Sequence, residues 1–548
     1  MIKVQWREQE ITVPKGSTLR YVAENLNVPQ DCVVARINNG VYGLQEELRH
    51  DCTVEFLNTT TEDGMRAYRA GLVFLFVKAA YETLPGAVIS IKHSIANGIY
   101  GEIAWERPVI EKDIQNVQRR MQELVEEDLS FELLHLPVRD LRARYREQGL
   151  KDKLRLLAHY DDEEVLPVYR CGDYYDWLTA VLVPSTGVLK YFKLRYYLPG
   201  FILEYPRRAN PKLVPPYVEQ GKLFNVFFQA EQWQNNLGIP DVPALNKAVA
   251  DGKFADLVRV CEAHHEKQIA QIADLITRER ERLRIILIAG PSSSGKTTFA
   301  QRLLVQLRVN GLWPITIGLD DYFVDRDKTP LDEDGKADFE ALEAIDLELF
   351  NTHLTKLIQG EEVELPSFDF KEGKRKWTGR TLRITQDQPI IIEGIHGLND
   401  QLTAAIPQGR KFKIYISALT NLNIDNHTRI STTDARMLRR IVRDHHFRGH
   451  SARDTVHMWP SVRRGEERYI FPFQESADVM FNSSLVYELS VLKGAVEPLL
   501  KAITPEAEEY GEAQRLLTFL NHFRTVPVSE VIPCNSILRE FIGGACMP

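Results

Sequence analysis

Apolar and polar positions alternate along IKVQW and EITV at the start of the chain, and again along CVVARI and TVEFL, with a helical segment, STLRYVAENL, between the two pairs. That order predicts a small α+β sheet unit over residues 1–59, with Ser17 as a helix cap. From 60 to 225, MRAYRAGLVFLFVKAAYETL and EKDIQNVQRRMQELVEE read as helices, VLKYFKLRYY and FILEYP as strands, and proline-rich YPRRANPKLVPPY as a boundary. Residues 226–282 read as a helical connector. It ends in TRERERLR, whose interleaved signs mark a solvated face rather than a nucleic-acid site. From 283 to 500 strands and helices take turns (RIILIAG, TTFAQRLLVQL, PITIGL, IDLELFNTHLTKLI, PIIIEGI, KFKIYIS), which implies a mostly parallel sheet covered on both faces. The remainder, 501–548, holds an amphipathic helix, EAQRLLTFLNHF, and a tail, SILREFIGGACMP, to which the pattern assigns no role. The predicted fold class is multidomain, α+β in front and α/β behind.

Composition sharpens this only in part. With 44% hydrophobic and 26% charged residues the chain is ordinary globular material. A formal charge of −8 argues against a general nucleic-acid-coating surface. Six scattered cysteines without a CxxC pair fit a reducing compartment. MIKVQWREQE has no apolar core typical of a secretory signal, and the most apolar window, AGLVFLFVKAAY, is broken by Lys78 too early to span a bilayer. A cytoplasmic enzyme without membrane attachment is expected.

The chemistry starts at RIILIAGPSSSGKTTFA. Gly290, Gly295, Lys296 and Thr297 fit GxxxxGK[ST], with an aliphatic strand before and a helical pattern after. Backbone N–H groups from Gly290 through Ser292, Ser293, Ser294 and Gly295 to Thr298, together with the positive end of the next helix, favour bound phosphate. Lys296 would neutralise β- and γ-phosphate oxygens and the Thr297 hydroxyl would ligate Mg²⁺, making ATP and Mg²⁺ the expected cofactors. In open α/β sheets ligands bind at the carboxyl ends of strands. PITIGLDDYF and PIIIEGIHGL place Asp320, Asp321 and Glu393 there. Glu393 suits a metal-holding role, Asp320 that of a base on an acceptor hydroxyl, and Asp321 either a turn or a cap. Further on, Arg436, Arg440 and Arg443 fall on one helical face, Arg439 next to it and Arg448 beyond. This stripe reads either as a lid over the transferring phosphoryl group or as a solvated basic face.

Taken in order, AGPSSSGKTTFA, LDDYFVD, VELPSFDF, IIIEGIHGL, ARMLRRIVRDHHFRG and YIFPFQESADVM resemble the landmarks of the uridine kinase and phosphoribulokinase branch of P-loop kinases, over about 283 to 485. The resemblance implies ATP as donor, Asp320 as base, Glu393 at the metal, and Arg436, Arg439 and Arg448 in the lid. Uridine kinases carry YDFxxHSR, whose Tyr and His contact the nucleobase. Here Phe368 and Gly373 stand at those positions, Phe323 replaces a Tyr after the catalytic Asp, and Glu340 replaces a ribose-contacting Asp. Stacking on Phe323 and Phe368 and hydroxyl binding by Glu340 remain implied, whereas uracil specificity does not. The expected acceptor is a small-molecule hydroxyl on a nucleoside or another polyol.

VPKGSTLRYVAENL resembles the TGS domain, a β-grasp module of threonyl-tRNA synthetases and some GTPases, and LVPSTGVLKYFKL resembles the synthetase's editing-type domain. That family edits with HxxxH and a downstream Cys and His. The matching positions here are Ala70, Phe74, Leu178 and Leu182, which can neither move protons nor bind metal. Residues 60–225 are therefore expected to be a binding, regulatory or self-association module, with tRNA and a homo-oligomer among its candidate partners. His93 reads as structural. Cys261, His264 and His265 share a helical face and read as an exposed polar face rather than a zinc site. The alternative function is a nucleotide-dependent switch with a TGS front end. DEDG at 332–335 fits DxxG formally, but NKAVAD lies before the loop, at the wrong spacing for a guanine reader.

Overall fold

The computed structural model describes residues 1–158, 160–331, 335, 337–369, 372–385, 387–528 and 530–547. The alternating front segments form β1 (Ile2–Trp6), β2 (Gln9–Val13), β3 (Cys32–Ile37), β4 (Gly40–Gly43) and β5 (Cys52–Asn58) in the order β2-β1-β5-β3-β4, with β1 and β5 parallel and the other pairs antiparallel. Helix α1 (Leu19–Asn25) buries Leu19 and Val22 in one core with Ile2, Val4 and Val54. Its cap is Thr18 rather than Ser17: the Thr18 hydroxyl accepts the Tyr21 N–H at 3.2 Å.

Next come α2 (Glu62–Thr83), β6 (Val88–Ile95), β7 (Gly98–Ala104), α3 (Glu111–Glu127), β8 (Glu132–Pro137), α4 (Val138–Glu147), α5 (Lys151–Leu157), β9 (Val165–Cys171), β10 (Tyr174–Asp176), β11 (Lys193–Tyr197) and β12 (Gly200–Glu204). They build an antiparallel sheet, β11-β12-β7-β6, and a smaller one, β10-β9-β8. Helix α2 is buried nearly all round, as a helix apolar on every face must be. Lys78, which interrupts that run, is itself buried and paired with Glu82 at 2.6 Å and Asp173 at 3.0 Å. No helix among the described residues is long and apolar enough to cross a membrane.

The stretch expected to be a solvated connector holds α6 (Gly221–Asn236), α7 (Val242–Ala250) and α8 (Phe254–Arg278). Its charged end is solvated, but the helices before it also carry a buried face. Helix α8 buries Leu257, Val258, Ile269, Ile272 and Ile276 in the same core as Phe299 and Leu303, because its apolar positions recur at helical spacing.

The remaining strands are β13 (Ile285–Ala289), β14 (Ile315–Gly318), β15 (Val363–Asp369), β16 (Lys374–Leu382), β17 (Ile390–Glu393), β18 (Lys411–Ser417) and β19 (Val479–Asn482). Five of them form an all-parallel sheet, β14-β17-β13-β18-β19, while β15 and β16 pair as a hairpin. The helices are α9 (Lys296–Val309), α10 (Leu347–Ile358), α11 (Thr432–Phe447), α12 (Ala452–Tyr469), α13 (Glu488–Lys501), α14 (Tyr510–Leu520) and α15 (Arg539–Ile542). Strand β13 is apolar throughout because both faces are covered: Ile286 and Ile288 join one core with Phe299, Ile285 and Leu287 another with Phe350 and Leu354.

Front and rear meet in a buried ion cluster. The Lys153 ammonium lies 2.6 Å from Asp176 and 2.9 Å from Asp425, and His427 Nδ1 is 2.7 Å from Asp176. Desolvation opposes the Lys153 charge, but the two carboxylates hold its pKa well above the usual lysine value. The cysteines depart from the expected all-thiol pattern: Cys534 and Cys546 are joined by a disulfide, while Cys32, Cys52, Cys171 and Cys261 are free. Replacing Lys153 by Met strands two buried carboxylates and is expected to cost about 3–5 kcal/mol, read as a lowered denaturation midpoint.

Candidate functional site

The loop between β13 and α9 bends at two glycines for different reasons. At Gly290 a Cβ would lie 1.9 Å from the Ile416 carbonyl oxygen, so only glycine lets the neighbouring strand approach. Gly295 adopts φ +84, the left-handed turn that starts α9. Ser293 is also left-handed, at φ 59, which turns successive peptide units into the concavity. Lys296 folds its ammonium back onto the Gly290 and Pro291 carbonyls, at 3.1 and 3.3 Å. Burial lowers its pKa, with Glu393 and Glu540 opposing the shift.

Parallel pairing of β17 with both β13 and β14 brings the two strand-end carboxylates beside this loop. The Thr297 hydroxyl donates to Glu393 Oε1 at 3.1 Å. Hydroxyl and carboxylate oxygens are hard donors of the kind Mg²⁺ prefers, so this pair fits the expected metal. The Glu393 carboxyl pKa is raised by burial against the pull of Lys296. Asp320, in the short turn after β14, sits exposed at the cleft, yet desolvation and then Asp321 raise its pKa, with Lys296 and Arg448 opposing. Asp321 accepts the Phe368 N–H at 3.4 Å, a turn-stabilising role.

The arginine stripe divides in two, and half of it is not where a lid would need it. Arg436 and Arg439 are fully buried behind the loop. The Arg436 guanidinium forms a two-pronged pair with Glu466 (2.8 Å for one prong) and donates to the Ser292 carbonyl at 3.0 Å. Arg439 pairs with Glu488 and donates to the Ser293 carbonyl at 3.4 Å. Both guanidiniums are committed to carboxylates and to the loop's outer carbonyls, so neither is available to a transferring phosphoryl group here. The other half, Arg440, Arg443 and Arg448, shares one buried carboxylate, Asp444, at 3.1, 3.2 and 3.4 Å. Three cations on one anion leave an excess of positive charge, and Arg440 also donates to the Ser292 hydroxyl at 2.8 Å. Burial, then Arg448, lowers the Arg443 pKa, with Asp444 and Glu540 opposing the shift.

On the acceptor side, Phe323 and Phe368 meet edge to face, with centroids 5.7 Å apart. A side chain at Gly373 would meet Arg326 Nε at 2.8 Å, and the Arg326 N–H donates to the Gly373 carbonyl at 2.9 Å. Arg326 thus fills the space a base-reading histidine would need. No motif along the sequence contains it, because it lies 47 positions upstream and reaches Gly373 only through the fold. Glu340, in a turn well before α10, packs its carboxylate against Gly465 of α12, and burial followed by the Glu466 charge pushes its carboxyl pKa up to about 7.

Phe74, at one of the degenerate editing positions, fills its space against Phe131 and Tyr174, with ring centroids 5.3 and 5.0 Å away. Leu182 is fully buried, Leu178 packs at the edge of the same core, and Ala70 lies partly exposed beside it. His93 stacks on Phe227 at 4.0 Å, and burial lowers its pKa to about 3, so it is a neutral packing residue. Cys261 and His265 are buried and His264 stacks on Trp233 at 4.2 Å, which corrects the expected exposed face. No cluster of three or more metal-binding side chains occurs among the described residues. Asn246 of NKAVAD is spent on the backbone of His522 and Arg524, at 2.7 and 2.8 Å. Residues 332–334 of the DEDG match lie outside the described residues.

A parallel sheet with a phosphate loop, a strand-end carboxylate at the loop's threonine and a second at the neighbouring strand define a P-loop phosphotransferase unit. Residues 285–490 match the Phosphoribulokinase / Uridine kinase family, which supports an ATP-dependent kinase. The N-terminal region is similar to threonine–tRNA ligases. That of Halorhodospira halophila is 31% identical over 194 residues, covering 34% of this chain and 30% of the ligase, and that of Alkalilimnicola ehrlichii is 31% identical over 198 residues with the same coverage. The chain therefore spans less than a third of the length of these relatives. A solved structure from Bacillus stearothermophilus, described as a possible uridine kinase, aligns at 21% identity over 39% of this chain and 98% of that one, with a TM-score of 0.27.

The Glu340 shift has a signed consequence. Its folded pKa of about 7 exceeds the usual 4.5, so the folded state holds the extra proton between these values and stability falls as pH rises through that window. Glu340→Gln should remove that slope. Denaturation midpoints of the two proteins should diverge from pH 4.5 to about 7 and run parallel above it.

Proposed function

We propose that this chain is an ATP-dependent kinase that transfers the γ-phosphoryl group to a hydroxyl of a nucleoside-like or polyol acceptor. The observation that carries the reading is the convergence of the 290–298 loop, the Thr297–Glu393 oxygen pair and the Asp320 carboxylate at the ends of adjacent parallel strands. Mg·ATP, when bound, supplies the phosphoryl group and the metal charge that offsets its oxygens.

Asp320, whose pKa is raised by burial and then by the Asp321 charge, accepts the proton of the acceptor hydroxyl. Lys296 leaves its carbonyl partners to neutralise phosphate oxygens, and Thr297 with Glu393 holds the metal. Arg440, Arg443 and Arg448 stabilise charge in the transition state, while Arg436 and Arg439 keep the loop in shape. Phe323 and Phe368 supply an aromatic wall for the acceptor, and Arg326 presents a guanidinium where a nucleoside kinase of the uridine type presents an imidazole. That exchange favours an acceptor with a carbonyl or anionic group at this place. The front half, with its editing positions apolar, acts as a binding or regulatory module.

ADP release measured against a panel of nucleosides and polyols tests this. Lys296→Ala should abolish acceptor-dependent turnover, and Asp320→Asn should lower it by about 10²–10⁴-fold while nucleotide still binds. Absence of turnover with every acceptor would count against a kinase, and much tighter binding of guanine than adenine nucleotide would favour a switch.

A further inference from the structure

The C-terminal tail, which the sequence pattern leaves without a role, ends at the phosphate loop. Helix α15 points Glu540 at the first turn of α9, where its Oε2 accepts both the Thr298 N–H, at 3.2 Å, and the Thr298 hydroxyl, at 2.9 Å. Three residues earlier, fully buried Ile537 lies against the loop itself: a Cβ on Gly295 would be 2.4 Å from its Cγ2. Phe541 sits under the Arg439 guanidinium, 5.1 Å from it, and the Ser536 hydroxyl donates to Glu262 on α8 at 2.5 Å. The whole segment is closed into a loop by the Cys534–Cys546 disulfide.

The chemistry of these contacts is that of a bound phosphate. In a GxxxxGK[ST] loop the N–H groups at the start of the helix cradle the α- and β-phosphates, and the helix end favours negative charge. A carboxylate that takes the Thr298 N–H and hydroxyl uses the same donors with the same charge. Lys296 and Arg443, two of the cations a polyphosphate would meet, already feel the Glu540 charge. Lys296 meanwhile turns away from the concavity onto the Gly290 and Pro291 carbonyls. A phosphate oxygen and the Glu540 oxygen cannot share one N–H, and two anions there would repel.

We propose that the disulfide-closed segment 534–546 is an intramolecular plug of the nucleotide site: Glu540 stands in for an ATP phosphate, and nucleotide binds by displacing it. This rests on reading the 290–298 loop as the nucleotide site. The plug gives the enzyme a self-occluded resting state whose nucleotide affinity is set by how firmly the tail docks.

Calorimetric titration of the full chain with Mg·ADP tests it. Glu540→Gln, which keeps the shape and removes the charge, should bind about tenfold tighter than wild type, and Glu540→Ala at least as tightly. Hydrogen–deuterium exchange on the wild type supplies a readout that needs no variant: saturating Mg·ADP should raise exchange across 534–546. Unchanged affinity in both variants, or a tail whose exchange does not respond to bound nucleotide, overturns the plug. Lys296→Ala in the Glu540→Gln background separates the two readings. If it abolishes binding while Glu540→Gln alone matches wild type, the nucleotide site stands and the plug falls. If no variant binds nucleotide, both fall.

Discussion

The phosphate loop is gripped from behind by two buried ion pairs, and the rest of the site depends on that grip. Glu466 accepts the Ser292 N–H at 3.0 Å while its partner Arg436 donates to the Ser292 carbonyl, so the two peptide units flanking Ser292 are both held. Arg439, anchored by Glu488, does the same for the Ser293 carbonyl and also reaches Ser483. A left-handed serine is a costly conformation that persists only when its surroundings over-determine it, whereas Gly295 adopts the same region freely. The ion pairs supply that determination. Each is far stronger as an intact unit than as a half, because removing one partner leaves a buried charge alone.

This division of labour explains why one helix carries arginines of two kinds. Positions 436 and 439 point into the core of the rear unit and are structural; 440, 443 and 448 crowd around Asp444 and leave positive charge unspent. A spacing of three and four along the sequence puts side chains on neighbouring faces, but it does not say which face is buried. That depends on where α12 and α13 bring Glu466 and Glu488.

Much of the rear fold was legible because its signals are local. An aliphatic strand, a glycine-bearing loop and a helix follow each other within 25 residues, and strand-end carboxylates are recognisable from the apolar runs before them. The front fold was legible from its period-two pattern and its resemblance to a synthetase. The unread features are all products of tertiary contact: Arg326 filling the space at Gly373, α8 packed on α9 instead of standing in solvent, Cys534 paired with Cys546, and Glu540 at Thr298. In each case the partners are distant in sequence or carry no motif, so no window along the chain contains the information.

The Lys153 cluster shows how closely the two ends of the molecule are joined. Lys153 and Asp176 come from the synthetase-like region, Asp425 and His427 from the kinase-like one, and Tyr81 completes the group 3.2 Å from His427. No water-exposed surface separates these halves at that point. A gene cut anywhere between them yields two polypeptides that each display half of a charge set evolved to be hidden. Two parts that look interchangeable with stand-alone relatives have thus become, in this chain, obligate neighbours.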